Sequence, residues 1–359
     1  MPLGLIIVKI RFLASSRHLM TSSPQSLDPK VEYDSSNIDG GLIYYSCAYG
    51  RFLEKLLGGE RNYLFTGLPE RPCSLFPILI KDGPFGPVVN SLPFFGSHGA
   101  PIAARSSLVR PLDLLQSLEG AIAEARWTSV TVVENPLAPL TEAELNSLAF
   151  LREVDRRVSQ ITHWTTKPPN SIDELLSIFH VKTRNAIRKG ALSGQEVVSG
   201  STEHEWEFLI SQHQQAILGK GGAAKSKEVF QRLRDSLPQN LRLHCGYIRG
   251  ELVSALLTLR YGSSIEYFVP VVRTDFREKQ VLSHLIAEVM YQDFREGSTL
   301  WNWGGTWNSQ AGVMRFKSRF GATSRTYRYL NWCDPSLIRM EPYDLKNHYA
   351  YWYTRRYDA

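Results

Sequence analysis

A lysine flanked by phenylalanines is the most chemically suggestive feature of this 359-residue chain. Lys317 directly follows Phe316 and stands three residues before Phe320, and a Gly-Gly pair, Gly304-Gly305, precedes this segment. Two glycines after an apolar strand let the backbone approach a ligand closely. A lysine among aromatic rings is partly desolvated, and its charge then strongly stabilises a negative charge that develops during a reaction. The alternative is a core helix in which the two phenylalanines pack at i,i+4 spacing and the lysine reaches solvent.

The segment GVMRFKSRFG, Gly312 to Gly321, resembles the closing motif of the Fem-type aminoacyltransferases, which are built from acyltransferase folds of the GNAT type. That motif is a strand, a Gly-rich turn, and then Gly-hydrophobic-x-Arg/Lys-Phe-Lys-x-x-Phe-Gly. The resemblance covers the greater part of the chain. It implies an acyltransferase whose reaction centre includes Phe316 and Lys317, with the Gly304-Gly305 turn positioning the acyl donor.

A basic helix is the second candidate site, in the segment KTRNAIRK that begins at Lys182. Arg184 and Arg188 share one face, and Lys182 and Lys189 lie nearly together on another. Like charges at this spacing destabilise an isolated helix, so an anionic partner would favour it. The segment resembles Lys-x-Arg-Asn-x-Ile-Arg-Lys of Fem-like proteins, which implies that Lys182, Arg184 and Arg188 bind a phosphate-bearing substrate. The alternative is a solvated helix face.

Two residues are candidates for the base that accepts a proton from the attacking amine. His98 lies in a loop rich in small residues, Asn90 to Pro101, where Fem-like proteins have a Pro-aromatic-x-Gly stretch that lines a cleft. Its alternative role is a loop histidine bonded to the local backbone. Glu266 is the rival base, because it is a carboxylate in an otherwise apolar strand. The further predicted substrate-binding residues are Tyr267, Asn302, Gly304 and Gly305.

The chain is long enough for two domains of ordinary size. In the second half the pattern predicts helices Glu203 to Leu218 and Glu278 to Arg295, and between them a meander of three strands, Leu241 to Val272, with a turn at Arg249-Gly250. The order of predicted strands and helices resembles two tandem GNAT-like halves, an α+β fold of mixed, mostly antiparallel sheets flanked by helices. Because Lys167-Pro168-Pro169-Asn170 breaks the pattern, we predict an N-terminal half at 39–166 and a C-terminal half at 171–345 that carries the Phe-Lys motif. Residues 1–38 are predicted to be a disordered leader, or to result from a translation start assigned too far upstream. The aromatic tail, 346–359, either docks on the core or stacks on nucleic acid.

Composition and charge indicate the kind of ligand and the cellular compartment that suit this protein. The formal net charge is +6 and the sequence pI is about 9.0, which suits an anionic ligand. Four cysteines without any Cys-x-x-Cys pair predict free thiols in a reducing, cytoplasmic compartment and no zinc site. The apolar run Leu3 to Ile10 is too short to cross a bilayer, so we predict no integral membrane segment and a peripheral position at the inner membrane face.

The acyl donor stays open between two co-substrates, and no resident cofactor is predicted. Ordinary GNAT enzymes hold the pyrophosphate of acyl-CoA on a Gly-containing loop at a helix start. The matching stretch here, Phe276 to Ser283, contains no glycine. The Fem resemblance offers aminoacyl-tRNA instead, with its acceptor end on the basic surface. We therefore predict amide formation on an amino group of a phosphate-bearing cell-envelope or polysaccharide precursor. The alternatives are an acyl-CoA-dependent N-acetyltransferase and a non-catalytic module that binds an anionic ligand.

Overall fold

The computed structural model describes residues 25–27, 41–68, 71–94, 98–104, 107, 110–164, 168–219 and 221–355. The strands are β1 Gln25–Leu27, β2 Glu60–Leu68, β3 Arg71–Lys81, β4 Val88–Asn90, β5 Ile102–Ala103, β6 Ser129–Val133, β7 Arg152–His163, β8 Glu196–Gly200, β9 Leu241–Ile248, β10 Glu251–Tyr261, β11 Ser264–Val272, β12 Leu300–Thr306 and β13 Thr323–Cys333. The helices are α1 Cys47–Leu57, α2 Pro111–Ala125, α3 Glu142–Ser147, α4 Ile172–Ser177, α5 Val181–Leu192, α6 Glu203–Leu218, α7 Lys227–Ser236, α8 Val281–Arg295, α9 Ala311–Ser318, α10 Pro335–Ile338 and α11 Pro342–His348. Except for 25–27, the predicted leader lies outside the described residues.

The chain divides into two compact units, one formed by Arg157–Thr326 and one by the residues before and after it. These boundaries fall inside β7 and β13, whereas the sequence predicted halves at 39–166 and 171–345. The difference at the C-terminal side has a direct cause, because Tyr329–Cys333 of β13 pair with β6 and so join the first unit.

The sheet of the unit Arg157–Thr326 runs in the order β7-β12-β11-β10-β9-β8. Its pairs are antiparallel except for the parallel pair β11 and β12. The connection from β9 to β10 has positive φ at both Arg249 (52°) and Gly250 (80°), as a two-residue hairpin turn requires. The meander predicted from the alternating pattern of these strands is therefore confirmed.

Helix α8 connects β11 to β12, and α5 packs against its first turn. A Cβ on Gly190 of α5 would lie 2.6 Å from Cβ of His284 and 2.7 Å from the Gln280 carbonyl oxygen, so only glycine permits this approach. The sequence predicted a helix from Glu278, which is wrong at its start. Residues Thr274–Lys279 form a 3-10 turn, and Gln280 (φ 62°) then breaks the chain direction before α8 begins.

The first unit has the strand order β1-β2-β3-β4-β6-β13, with β5 on β3. Its one parallel pair among the described strands is β4 with β6. A buried ion pair ties β13 to the end of β6, because the Arg328 guanidinium contacts the Glu134 carboxylate at 2.7 Å. Both units are thus mixed, mostly antiparallel sheets with helices, which confirms the predicted α+β class.

The aromatic tail docks on the first unit. The Tyr349 hydroxyl donates to the Gly86 carbonyl oxygen at 2.6 Å and accepts from the Phe85 N–H at 3.2 Å. The Asn90 side chain and the Tyr353 backbone exchange two hydrogen bonds of 2.8 Å each. Of the two interpretations of the tail, docking on the core is the one that its described residues adopt.

Metal, disulfide and membrane features are missing from the described part of the chain. It contains no cluster of three or more His, Cys, Asp or Glu side chains that could hold a metal ion. All four cysteines are free thiols. Among the helices given above, none combines the length and the apolar character needed to span a bilayer.

Substituting Gly83→Ala tests the docking of the tail. A Cβ at this position would lie 2.6 Å from the Tyr349 ring, so the ring and the segment that carries it must move. We expect a loss of about 1–3 kcal/mol in the free energy of unfolding, measured by urea denaturation. Gly120→Ala is the matched control, since nothing lies within 4 Å of the Cβ that this change adds and alanine favours a helix by about 0.5–1 kcal/mol. Equal stability of the two variants would contradict tight docking.

Candidate active site

The end of β12 is bulged at a glycine. The register of β12 against β7 shifts between Asn302 and Gly305, and Gly304 has a φ of +70°. A Cβ at position 304 would also lie 3.4 Å from Oε1 of Glu266. Only glycine adopts this backbone conformation without strain. The Gly-Gly pair therefore turns the backbone carbonyl groups of the strand end out of the regular ladder.

Lys317 of α9 is buried against this bulge, with 6% of its surface exposed. Its Nζ donates to Oγ1 of Thr306 at 2.8 Å and to the Gly304 carbonyl oxygen at 3.1 Å, while the Gly305 carbonyl oxygen lies farther away at 3.5 Å. Burial lowers the pKa of Lys317 to about 8, and the charge of Glu266 opposes that shift. The alternative of a lysine that reaches solvent does not hold, because its ammonium is held by internal oxygens.

The two phenylalanines of the motif have different surroundings. Phe320 is buried, with its ring 5.0 Å from Trp303 and 5.2 Å from Phe179. Phe316 is half-buried and meets Trp303 and Phe320 edge-on at 6.3 and 5.2 Å. Phe320 is thus a core residue, whereas Phe316 has a surface left to meet a ligand.

Glu266 and Asn302 form a buried pair across β11 and β12. Glu266 is 4% exposed, and its Oε2 accepts a hydrogen bond of 2.6 Å from Nδ2 of Asn302. Asn302 is fully enclosed, so its side chain does not reach the surface where a substrate would bind. Tyr267, the other predicted substrate-binding residue of β11, packs 4.9 Å from the Trp303 ring, and burial raises the pKa of its hydroxyl.

A cationic cavity of about 470 Å³ lies among α5, α9 and the start of α8. Four basic residues line it, two from α5, one from α9 and one from the C-cap of α9: Lys182, Lys189, Arg315 and Arg319. No Asp or Glu is among the described residues that line it. Phe316 forms part of the wall, and Gln280 and Ser283 contribute from the start of α8. Such a volume and charge suit a small anionic group.

The arginines predicted to bind the anion lie on the opposite side of α5. Lys182 and Lys189 are seven residues apart and share the cavity face, whereas Arg184 and Arg188 are rotated away by the period of 3.6 residues. Nη1 of Arg184 donates to the Phe179 carbonyl oxygen at 2.7 Å, and Arg188 is exposed. Of the three predicted residues, the structure therefore brings Lys182 to the cavity.

Sequence reasoning missed Arg315 and Arg319. They stand four residues apart within the Phe-Lys motif, so both belong to the same face of α9. That spacing was the available signal. It gives a second pair of positive charges on one helix face, which could meet the positive face of Lys182 and Lys189 if the two helices packed together. Their meeting is a tertiary fact that the spacing alone does not contain.

His98 lies in the first unit, not in the unit that holds Glu266 and Lys317. Its ring is completely buried and stacks 5.9 Å from Tyr44 and 6.2 Å from Tyr327. Burial lowers the pKa of His98 to about 3. An imidazole with so low a pKa is a weak base at neutral pH.

The titration of Lys317 provides a direct test of the buried ammonium. In lysine labelled with ¹³C at Cε, the Lys317 signal should titrate with a pKa of about 8, with Lys317→Met used to assign it. In Glu266→Gln the pKa should fall further, because the neighbouring negative charge that favours the ammonium is lost. A pKa near 10.5, the ordinary value for lysine, would contradict the described environment.

Comparison with known proteins identifies a domain family for part of the chain. Residues 180–318, which include α5, α8, α9 and the bulge, match the family model described as "Acetyltransferase (GNAT) domain". A search of curated proteins finds no match. GNAT folds in general use acyl-CoA as co-substrate.

Solved structures share the fold at low sequence identity. A FemX crystal structure is 14% identical with a TM-score of 0.65, and the match covers 84% of this chain and 95% of FemX. A protein of unknown function from Bacteroides thetaiotaomicron is 10% identical with a TM-score of 0.53, covering 84% and 93%. The C-terminal domain of a putative lysylphosphatidylglycerol synthetase from Agrobacterium fabrum is 12% identical with a TM-score of 0.51, covering 88% and 93%.

The buried lysine at a glycine bulge, the family match over residues 180–318 and the shared fold lead to one conclusion. Residues 180–318 form an acyltransferase domain of the GNAT type, and the chain shares its fold with FemX.

Proposed function

We propose that the chain transfers an acyl or aminoacyl group from an activated donor to an amino group of a phosphate-bearing cell-envelope or polysaccharide precursor, forming an amide. The observation that carries this proposal is the cationic cavity, with four basic side chains and no carboxylate among its described lining residues. Phe316, which lines this cavity, is the neighbour of the buried Lys317 on helix α9. A phosphate group held there would therefore keep its molecule close to the proposed reaction centre.

The anion-binding residues in this proposal are Lys182, Lys189, Arg315 and Arg319, in place of Arg184 and Arg188. The start of α8 has no glycine loop to offer amide groups to a pyrophosphate, but Gln280 and Ser283 line the cavity there. Charged side chains would then supply the attraction that amide groups provide elsewhere. Acyl-CoA and the acceptor end of aminoacyl-tRNA share this phosphate chemistry, so the experiment must separate them.

The chemistry follows from Glu266 and Lys317. The amine nitrogen of the acceptor attacks the acyl carbonyl carbon, and a C–N bond forms while the carbonyl oxygen becomes negative. Glu266 accepts the proton that the nitrogen loses. The Lys317 ammonium stabilises the oxyanion. Its contact with the Gly305 carbonyl oxygen is the longest of the three, so the N–H that makes this contact is free to donate to the oxyanion instead. Collapse of the intermediate breaks the bond to the thiol or ribose oxygen, which leaves with the proton.

The proposed acceptor rests on the charge of the cavity and on one structural relative. The name of the Agrobacterium fabrum protein describes the synthesis of an aminoacylated, phosphate-bearing lipid. That relative supports the phosphate group of the acceptor but not its amine, because phosphatidylglycerol presents a hydroxyl group. In this proposal the acceptor brings its phosphate to the Lys and Arg side chains and its own amine to Glu266. We place the reaction in the cytoplasm, at the inner face of the membrane, because both donors are intracellular and the free cysteines suit a reducing compartment.

Binding to the cavity is tested with coenzyme A and with uncharged tRNA as separate probes. In the double variant Lys189→Gln, Arg319→Gln we expect the Kd of the true probe to rise about 100-fold, because each hydrogen bond to a charged group contributes about 1.5–3 kcal/mol. Isothermal titration calorimetry at two salt concentrations measures the change. The control is Arg188→Gln, on the same helix but off the cavity, which should bind as the wild type does. Unchanged binding of both probes in the double variant would exclude the cavity as the site of the donor's phosphates.

Turnover is tested with radiolabelled acetyl-CoA and with charged tRNA, each offered a panel of amino sugars and nucleotide-linked amines. We expect Glu266→Gln and Lys317→Met each to lower amide formation about 10²–10³-fold, through loss of the base and of the oxyanion donor. The exposed residues Glu207→Gln and Lys227→Met are charge-matched controls. Tight, salt-dependent binding without any amide product would favour the non-catalytic binding module instead.

A further inference from the structure

Asn302 occupies the position opposite Glu266. In the parallel pair of β11 and β12 these two residues are direct partners, and both side chains are buried. The Asn302 amide nitrogen, Nδ2, donates to the carboxylate at 2.6 Å. A donor this close to a carboxylate forms a hydrogen bond of the strong, charge-assisted kind. Glu266 therefore has a fixed orientation in the unliganded fold.

The same amide group also fixes the bulge. Its oxygen, Oδ1, accepts from the Gly304 N–H at 3.1 Å and from the Ser159 hydroxyl at 3.2 Å. The carbonyl oxygen of that same glycine accepts from Lys317 at 3.1 Å. A continuous chain of hydrogen bonds thus runs from the Glu266 carboxylate through Asn302 and Gly304 to the Lys317 ammonium.

We propose that Asn302 is a positioning residue for the transfer reaction, which holds the Glu266 carboxylate and the Lys317 ammonium at one spacing through the bulge between them. The role of Glu266 as base is taken from the proposed function, and the inference rests on it to that extent. An apolar residue could fill the same space, and an acceptor alone could cap the Gly304 N–H. Only an amide can accept from the Gly304 N–H and donate to the Glu266 carboxylate at once without itself gaining or losing a proton.

Charge makes this arrangement consequential. The negative charge of Glu266 raises the pKa of Lys317, on α9, against the lowering that burial causes. The bulge carbonyl groups hold that ammonium, and Asn302 holds the carboxylate. In the proposed reaction the amine loses its proton near Glu266 while the acyl oxygen gains negative charge near Lys317. The distance between the carboxylate and the ammonium therefore decides whether one bound geometry of the substrates serves both steps.

The test is Asn302→Asp, which keeps an oxygen for the Gly304 N–H but replaces the donor that faces Glu266 by a carboxylate. Two carboxylates at this distance share a proton. With glutamate labelled by ¹³C at the carboxyl carbon, the Glu266 signal should titrate at least about one pH unit higher than in the wild type. Glu266→Gln assigns the signal. In a second sample of this variant with lysine labelled at Cε, the Lys317 titration should also differ from the wild type, because the charge distribution beside it has changed.

Ser159→Ala is the matched control, because it removes one buried neighbour of the same amide and leaves the bonds to Gly304 and Glu266. Its Glu266 titration should equal that of the wild type. With the donor and amine that the wild-type protein turns over, Asn302→Asp should lower kcat at least about tenfold at pH 7 with little change in KM, as loss of orientation predicts. A Glu266 titration that is unmoved in Asn302→Asp, or moved equally in Ser159→Ala, would overturn the inference.

The kinetic results separate this inference from the proposed function. If Glu266→Gln retains full turnover, the base assignment fails even when the titration of Glu266 responds to Asn302. If Glu266→Gln is inactive but Asn302→Asp has the wild-type kcat and pH profile, the proposed function stands and the positioning role is excluded.

Discussion

The burial of one ammonium group constrains the whole of the candidate site. A charged group taken out of water costs several kcal/mol unless oxygens replace its hydration shell. The bulge at Gly304 supplies those oxygens, because it turns carbonyl groups away from the strand ladder and toward Lys317. The bulge in turn needs a glycine with positive φ and an acceptor for its N–H, which Asn302 provides. The motif is therefore one linked structure, from the strand end to the helix that follows it.

In the proposed reaction Lys317 has both a structural and a catalytic role. Its shortest contact is to the Thr306 hydroxyl. Desolvation lowers its pKa to about 8, and the ammonium is still the main form at neutral pH. A preorganised charge of this kind needs no rearrangement when an oxyanion forms, and such preorganisation is the largest single contribution in many enzymes. The weak contact to Gly305 leaves one direction open for that oxyanion.

The helices around the cavity have a complementary role. Close contact of α5 with α8 at Gly190 places the face of Lys182 and Lys189 beside the start of α8, and α9 adds Arg315 and Arg319. Four like charges around one cavity repel each other, so the protein alone gains nothing from this arrangement. A phosphate would convert that repulsion into attraction. Phe316 belongs both to the cavity wall and to the motif, so it would connect a bound anion with the proposed reaction centre.

The sequence by itself determined the class of fold, most of the secondary structure and the identity of the central motif. Helix α6 has the predicted bounds, Glu203 to Leu218, and the meander of β9 to β11 was readable because alternation and Arg249-Gly250 are local signals. The Phe-Lys motif was readable for the same reason, since all its residues lie within one short segment. The start of α8 was not, because a left-handed Gln280 has no composition signal.

Only the tertiary structure decided what these residues face. Arg184 and Arg188 carry the same charge as Lys182 and Lys189, and nothing in the helix itself states which side will meet α9. Asn302 looked like a ligand contact because it precedes the glycine turn, but strand pairing places it against Glu266 in the interior. The C-terminal residues of β13 and the tail were assigned to the wrong half, or to a segment of their own, since pairing with β6 is a long-range contact. Periodicity encodes which residues share a face, whereas packing between distant segments selects the face that becomes a site.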